Sequence, residues 1–169
     1  MGKSDLIDWI KNSFKEGDTC LDVGACDGKY ANLLKDYLVI DGVEVFKPYI
    51  ERYQLDKKYN HIYNVDIVDF KYDWYDLIIF GDIIEHLDIK DAQKVIDYAR
   101  SRCKDMIIAV PYKYKQGIVD NNPHQAHIQD DLTRELFDER YPGFELLFLF
   151  NNSDGTDQYG YYHKSGDKV

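Results

Sequence analysis

The sequence predicts an α/β fold in which a mostly parallel sheet carries helices on both faces. Predicted strands and helices alternate along the 169 residues, with no linker and no internal repeat. Short apolar runs such as Asp76–Phe80 are typical of strands that are buried on both faces. A turn containing Gly24 and Gly28 joins the first strand to the helix that follows it. We therefore expect one domain over residues 1–169.

The N-terminal half is predicted to contain three helices and three strands. Apolar side chains spaced three and four residues apart predict the first helix. Pro48 suits the first turn of a helix, because its missing N–H would have no partner there anyway. In order, the elements are a helix at about 4–15, a strand from Cys20, a helix at about 28–36, a strand over Tyr37–Val45, the helix containing Pro48, and a strand over His61–Asp66.

The C-terminal half continues the alternation and then changes pattern. Residues 112–129 are predicted to form a long polar loop with two histidines. The segment 151–155 is rich in Asn, Asp and Gly and predicts a hairpin. In order, the elements are the strand Asp76–Phe80, a helix at about 89–102 capped by Asp88 and Asp91, a strand over Met106–Val110 stopped by Pro111, the loop, a helix capped by Asp130 or Asp131 that buries Leu132, Leu136 and Phe137, and the strands Phe144–Phe150 and Gln158–His163.

Charge and composition argue against several classes of partner. The chain has 31 acidic and 21 basic residues, a formal net charge of −10, and its lysines are scattered, so we do not expect nucleic acid as a partner. No apolar run approaches the roughly 20 residues that span a bilayer, and the first residues lack the apolar core of a signal peptide. We expect no membrane partner. Three cysteines, an odd count, predict free thiols in a reducing cytoplasm.

The glycine turn differs from two well-known nucleotide-binding loops. The dinucleotide fingerprint G-x-G-x-x-G would place glycine at positions 24, 26 and 29, where this chain has Gly24, Cys26 and Lys29. The phosphate loop G-x-x-x-x-G-K-[ST] would need one more residue between its glycines, and Tyr30 stands where its hydroxyl residue should be. The spacing that remains is D-x-G-x-x-x-G, from Asp22 to Gly28.

That spacing resembles motif I of the class I S-adenosylmethionine (SAM) methyltransferases, usually [DE]-x-G-x-G-x-G, with Cys26 in place of the middle glycine. The order of elements agrees with that family over nearly the whole chain. The resemblance implies a Rossmann-like fold whose seven-stranded, mostly parallel sheet has one antiparallel strand. It also implies SAM as the cofactor.

The same resemblance implies a set of cofactor-binding residues. Asp22 and Gly24 would shape the turn and hold the methionine end of SAM, and Gly28 would open the helix. Glu44, at the end of the second strand, would accept the ribose hydroxyls, with Asp41 as a rival. Asp66 matches the position that reads adenine, although it could instead cap the turn at 67–70. The full set is Asp22, Gly24, Ala25, Gly28, Glu44, Asp66, Ile67 and Gly81.

Residues 82–87 raise the question of a metal. In a helical turn, Asp82, Glu85 and His86 would share one face and could bind a divalent cation. Small-RNA 2′-O-methyltransferases and quinone-pathway O-methyltransferases use similar segments in this way, but many class I methyltransferases carry the Glu-His-Leu triplet without a metal. We expect no metal here. His124 or His127 could supply a further ligand, or a general base for the acceptor.

We therefore expect a SAM-dependent methyltransferase that acts on a small or medium-sized acceptor. His127, His124, Asp82 and Glu85 are the candidate catalytic residues. The alternatives are a metal-dependent RNA ribose 2′-O-methyltransferase, a SAM-binding module without catalysis and, on weaker grounds, an NAD-dependent enzyme. The cover of the site would come from the first helix, the 112–129 loop or a second subunit in a homodimer.

Overall fold

The computed structural model describes residues 3–166, in which helices and strands alternate; residues 1, 2 and 167–169 of the predicted domain lie outside the described residues. The helices are α1 (Lys3–Ser13), α2 (Lys29–Leu34), α3 (Lys47–Tyr53), α4 (Ile89–Arg100) and α5 (Arg134–Arg140). The strands are β1 (Thr19–Val23), β2 (Val39–Val43), β3 (His61–Tyr63), β4 (Tyr75–Gly81), β5 (Cys103–Pro111), β6 (Glu145–Asn151) and β7 (Asp157–Ser165). Short 3-10 turns cover Leu55–Lys57, Ile84–His86 and Pro123–Gln125.

The seven strands form one sheet in the order β3-β2-β1-β4-β5-β7-β6. Strands β1 to β5 pair in parallel, and β7 runs antiparallel to both β5 and β6. Only β7 is therefore reversed within the described sheet. The predicted seven-stranded sheet with one antiparallel strand is confirmed.

Two apolar cores cover the two faces of the sheet, because successive side chains of a buried strand point in opposite directions. In β4, Leu77 and Ile79 join α1, α2 and the region of α3 in one core. Ile78 and Phe80 face the other way and pack in the core that contains residues of α4 and α5. Helices on both faces explain why the run Leu77–Phe80 in the central strand β4 is apolar.

The carboxyl ends of β1, β2 and β4 lie along one edge of the sheet. The chain moves outward from β1 to β3 and then returns to place β4 beside β1, so the strand order reverses between β1 and β4. Open α/β sheets bind ligands at such a reversal, outside the carboxyl ends of the strands. The fold therefore directs attention to the loops that follow these strands.

The last helix departs from the prediction at its start. Its N-cap is Thr133, whose hydroxyl accepts from the Leu136 amide at 3.2 Å, rather than Asp130 or Asp131. Asp131 instead forms a two-bond pair with Arg140, at 2.9 and 2.6 Å. Leu132 is buried as predicted, but it precedes the helix. At α4 the capping prediction is confirmed, since Asp88 accepts from the Asp91 amide at 2.9 Å.

The cysteines behave as small apolar residues in this fold. Cys20 and Cys103 are fully buried and Cys26 is partly buried, and all three are free thiols, as predicted. Among residues 3–166, no helix combines the length and the apolar character that crossing a membrane requires.

Candidate active site

The turn after β1 is held by the end of β2. The amides of Gly24 and Ala25 both donate to the Val43 carbonyl, at 2.9 Å each. Gly24 has φ of +77°, and a Cβ at this position would overlap the side chain of Ile83. Only glycine fits such a position without rearrangement. The backbone conformation and the nearby Ile83 side chain therefore explain why glycine stands at position 24.

The backbone at Cys26, the middle position of the turn, has a conformation that glycine adopts easily. Its φ is +45°, in the left-handed region that L-residues with a Cβ adopt at a cost. Burial, helped by the charge of Asp27, raises the pKa of the Cys26 thiol to about 11. The thiol therefore stays protonated at neutral pH, and its environment does not favour a nucleophile.

Glu44 lies directly after β2 and connects two loops. Its Oε2 accepts from the Cys26 amide at 2.9 Å, and its Oε1 accepts from the Phe46 amide at 2.8 Å. Burial raises the pKa of Glu44, while the two amides and the nearby His124 oppose that rise. Each carboxylate oxygen can accept more than one hydrogen bond, so both can still accept from a ligand. Glu44 lines the central cavity, whereas Asp41 bonds to Asn60 and Tyr75 away from it.

Asp66 and Ile67 follow β3 and line the same cavity. The Oδ1 of Asp66 also accepts from the Val68 amide at 3.0 Å, and the Asp69 amide donates to the Asp66 carbonyl. The turn-capping role left open by the sequence is therefore present. Because only one carboxylate oxygen is used in that bond, the other is available to a ligand.

Asp22 and Gly28 are set back from the cavity. The Asp22 side chain is 1% exposed and accepts from the Tyr59 hydroxyl at 2.5 Å. Gly28, with φ of +76°, is the N-cap of α2. Neither residue lines the cavity, so a part for Asp22 and Gly28 in holding a cofactor stays a prediction. They shape the turn from within the protein.

The cavity has a volume of about 1200 Å³ and lies along the carboxyl edge of the sheet. This space exceeds that of most single-ligand pockets, so it has room for two molecules side by side. It brings together most of the residues that the sequence singled out, namely Gly24, Ala25, Glu44, Asp66, Ile67, Gly81, Asp82, Glu85, His124 and His127.

An aromatic wall forms the end of the cavity next to β4. Asp82 has φ of +59°, and its Oδ1 accepts from the Tyr159 hydroxyl at 2.5 Å. The ring of Tyr159 lies 5.0 Å from that of Tyr161, on the reversed strand β7. Tyr30 of α2 also lines this end, and a Cβ on Gly81 would meet its ring. Gly81 thus lets an aromatic side chain approach the end of β4.

Glu85 lies in the 3-10 turn Ile84–His86 and is fully buried. Neither of its carboxylate oxygens has a hydrogen-bond partner among residues 3–166. Burial, helped by the charge of Asp82, raises its pKa well above the ordinary value. An unpartnered buried carboxylate is uncommon in native proteins and calls for a physical explanation.

His86 and His127 lie beside Glu85, and the centroids of the two imidazole rings are 4.6 Å apart. One donor atom from each of these three residues lies within 4.8 Å of the others. The group includes His127, which the sequence offered as a possible further ligand, and it does not include Asp82, which bonds to Tyr159. Burial lowers the pKa of His86 to about 4, so its imidazole is neutral at pH 7.

Two of the covers named above can be compared within this chain. The 112–129 loop contributes residues to the cavity wall, whereas the described residues of α1 contribute none. Near its middle, Asp120 pairs with Arg52 of α3 at 2.8 Å and accepts from the Tyr49 hydroxyl at 3.2 Å. At its end, the amides of Ile128 and Gln129 both donate to the Glu85 carbonyl, at 2.8 and 3.0 Å. The loop is therefore anchored on both sides of the cavity.

Several cavity residues were not identified from the sequence as site residues. The abundance of tyrosine suggested flat pocket walls in general, but nothing local distinguished Tyr30, Tyr159 and Tyr161. The latter two reach the site because β7 pairs with β5, a contact between distant parts of the chain. Alternation along β7 could have indicated which tyrosines share a face, but not that this face meets Asp82.

Known structures share this fold over most of the chain. N-methyltransferase NodS from Bradyrhizobium japonicum WM9, in complex with S-adenosyl-L-homocysteine (SAH), matches with a TM-score of 0.71 and 14% identity, over 98% of this chain and 85% of NodS. The methyltransferase domain of bacterial CtHen1-CN matches with a TM-score of 0.68 and 20% identity, over 96% of both chains. Magnesium protoporphyrin IX methyltransferase ChlM from Synechocystis PCC 6803, with bound SAM, matches with a TM-score of 0.65 and 14% identity, over 97% of this chain and 77% of ChlM.

No family model matches the sequence, and no curated protein matches it. At identities of 14–20%, the structural similarity establishes the fold. The chain has the class I methyltransferase fold, as the resemblance at Asp22–Gly28 implied.

Proposed function

We propose that this protein is a SAM-dependent methyltransferase that acts on a small or medium-sized acceptor. One observation carries the proposal: the left-handed turn at Gly24 and the Glu44 carboxylate are hydrogen-bonded together at the edge of a single cavity. A backbone turn and a carboxylate in this arrangement suit the charged end and the ribose of a nucleoside ligand. The neighbours NodS and ChlM were crystallised with SAH and SAM, which supports the same ligand here.

The cavity residues fit SAM from one end to the other. Backbone of the Gly24–Cys26 turn would face the methionine portion, and Glu44 would accept from the ribose hydroxyls. Asp66 would bind the adenine amino group, with Val45 and Ile67 beside the ring. When bound, SAM supplies a methyl group that is already activated by a sulfonium centre.

The aromatic end of the cavity would hold the acceptor. Tyr30, Tyr159 and Tyr161 offer flat surfaces at the end of β4, and tyrosine rings bind apolar or planar groups while keeping a polar edge. The 112–129 loop supplies part of the wall within one chain, which fits an acceptor of modest size. A second subunit in a homodimer, another of the covers considered above, stays a prediction.

Two groups at this end could remove a proton from the acceptor. The Asp82 carboxylate lies in the cavity wall and bonds to Tyr159. The Nδ1 of His127 lies 2.7 Å from the Tyr114 carbonyl, so Nδ1 carries a hydrogen, and in the neutral imidazole Nε2 would have a free lone pair. His124 and Glu85 are weaker candidates. His124 lies close enough to Glu44 to affect its pKa, on the nucleoside side, and Glu85 is buried in a way that favours its neutral form.

The free cysteines support a reducing location, such as the cytoplasm, for this activity. The net charge of −10 argues against a nucleic-acid acceptor.

Ligand retention and turnover together test the proposed function. Purified protein is denatured and the released small molecules are identified by mass spectrometry, and SAM, SAH and NAD are titrated by calorimetry. We expect SAM and SAH to bind and NAD not to bind. SAH formation with panels of hydroxyl, amine and thiol compounds then tests catalysis. Tight NAD binding without SAM binding would overturn the proposal, and SAM binding without any turnover would instead support a non-catalytic SAM-binding module.

A further inference from the structure

We propose that Glu85, His86 and His127 form a binding site for one divalent transition-metal ion at the acceptor end of the cavity. One donor atom of each residue lies within 4.8 Å of the other two, and all three residues line the cavity. A metal ion placed between them would be within reach of two imidazole nitrogens and one carboxylate oxygen. Only modest side-chain adjustment would bring these atoms to the 2.0–2.2 Å distances that such ions require.

The Glu85 side chain is the first reason to expect a cation here. It is fully buried, and neither of its oxygens has a hydrogen-bond partner among residues 3–166. A buried carboxylate that lacks donors is unfavourable unless a cation or a proton accompanies it. Glu85 also faces Asp82, a second carboxylate, whose charge adds to the need for a cation.

The orientation of the two histidines is the second reason. The Nδ1 of His86 lies 3.2 Å from the Ala126 carbonyl, and the Nδ1 of His127 lies 2.7 Å from the Tyr114 carbonyl. A carbonyl oxygen can only accept, so each Nδ1 carries a hydrogen, and in the neutral imidazole each Nε2 keeps its lone pair. Metal-binding histidines characteristically make this second hydrogen bond to a carbonyl or carboxylate, which fixes the tautomer and the ring.

The backbone holds these ligands together without help from a metal. The amides of Ile128 and Gln129, next to His127, donate to the carbonyl of Glu85 itself. The Gln129 side chain donates to the carbonyls of Ile84 and Leu87, on either side of Glu85 and His86. The His127 amide also donates to the Gln116 carbonyl at 2.9 Å. The three ligands are therefore positioned in advance, which lowers the entropic cost of binding.

The donor set indicates the class of metal. Two imidazoles and one carboxylate suit Zn²⁺, Co²⁺ or Mn²⁺, whereas Mg²⁺ and Ca²⁺ prefer oxygen ligands. Three protein ligands leave at least one coordination position open, as in catalytic rather than structural sites. Because all three residues line the cavity, we infer that the open position is reached from it. If the proposed function is correct, this position would bind an oxygen of the acceptor, and Asp82 would be the group left to accept its proton.

Metal titrations of the chelator-treated full chain, in the absence of SAM, test the site directly. Co²⁺ is added while its visible absorption is recorded, and Zn²⁺ and Mg²⁺ are titrated by calorimetry. We expect one equivalent of Co²⁺ and of Zn²⁺ to bind, with Mg²⁺ at least tenfold weaker. His127→Ala should weaken Zn²⁺ binding at least tenfold, whereas His61→Ala, an exposed histidine of β3, should leave it unchanged.

Glu85→Gln provides a variant with nearly the same shape. It should remain folded in the absence of metal, because it removes a buried charge, but it should lose the rise in melting temperature that Zn²⁺ gives the parent protein. Failure of the folded parent protein to bind Co²⁺ stoichiometrically would overturn the proposal. Equal Zn²⁺ binding by His127→Ala and His61→Ala would do the same. SAM binding by chelator-treated protein is measured separately, so a failed metal site is distinguishable from a failed cofactor site.

Discussion

The Glu44 carboxylate accepts a hydrogen bond from the backbone amide of Cys26, at 2.9 Å. This bond joins the acid at the end of β2 to the left-handed turn after β1, so the two parts of the proposed SAM site are one hydrogen-bonded unit. The residue that donates this bond, Cys26, itself has a positive φ of +45°. The turn and the acid should therefore respond together to substitution.

The strain at Cys26 gives the first prediction. Cys26→Gly removes the Cβ from a left-handed residue, a relief of roughly 1–2 kcal/mol that offsets the added flexibility of the unfolded chain. We expect its free energy of unfolding to equal or exceed that of the parent protein, with SAM affinity retained. Cys26→Val should instead lose about 1–2 kcal/mol, because a β-branched residue tolerates this conformation poorly. Urea unfolding measures both, and a stable Cys26→Val variant would contradict the account.

Gly24 and Gly17 form a matched pair for the second prediction. Both have positive φ, +77° and +88°, but a Cβ on Gly24 would overlap Ile83 while one on Gly17 would meet nothing within 4 Å. Gly17→Ala should cost about 1 kcal/mol from backbone strain alone. Gly24→Ala should cost at least 1 kcal/mol more from overlap and should weaken SAM binding. Equal stability losses measured by denaturation would show that the turn is not sterically constrained as described.

The Arg52–Asp120 pair gives the third prediction, because it anchors the 112–129 loop to α3. The pair is exposed, so Arg52→Ala should change global stability by less than about 1 kcal/mol. The loop should open more often, and SAH should dissociate about two- to fivefold faster in stopped-flow measurements. Lys47→Ala, which removes the exposed pair with Glu51 on the same helix, is the control and should dissociate SAH at the parent rate.

These results bear on how much of the molecule the sequence could predict. Local patterns predicted the strand and helix order, the turn at Gly24 and the placement of Glu44, because each depends on neighbouring residues. The predicted start of α5 was wrong because Thr133, another residue type that caps helices, is the N-cap. Asp131 instead pairs with Arg140 at the end of the same helix. The grouping of Glu85 with His127 depends on backbone bonds from Ile128 and Gln129, between segments distant in sequence. The sequence offered Asp82, Glu85 and His86 as one possible metal-binding face, with His124 or His127 as a further ligand. The fold instead bonds Asp82 to Tyr159.

The pair between Asp105 of β5 and His163 of β7 gives a prediction about pH. The His163 Nε2 lies 2.8 Å from Asp105 Oδ1. Burial alone would raise the pKa of Asp105, but the hydrogen bond and charge of His163 hold it below the ordinary value. A carboxyl whose pKa is lowered by folding adds stability above its unfolded pKa, near 3.9, and loses it as the pH falls through the folded-state pKa.

Asp105→Asn should therefore lower the free energy of unfolding by about 1–2 kcal/mol at pH 6. The difference from the parent protein should shrink steadily below about pH 4. Asp97→Asn, at a largely exposed side chain, is the control and should change the free energy of unfolding by less than about 0.5 kcal/mol. A difference for Asp105→Asn that stays constant from pH 7 to pH 3 would contradict the assigned role of the carboxylate.

Calorimetric titration of SAH into Glu44→Gln is the most direct test of the central claim, that a nucleoside binds across the turn and the acid. Gln keeps the size of the side chain but removes its charge and half of its acceptor capacity. We expect the affinity to fall at least tenfold, with the variant still folded by circular dichroism, while Glu51→Gln on the exposed face of α3 stays within twofold of the parent protein. SAH binding by folded Glu44→Gln with the parent affinity would contradict the account.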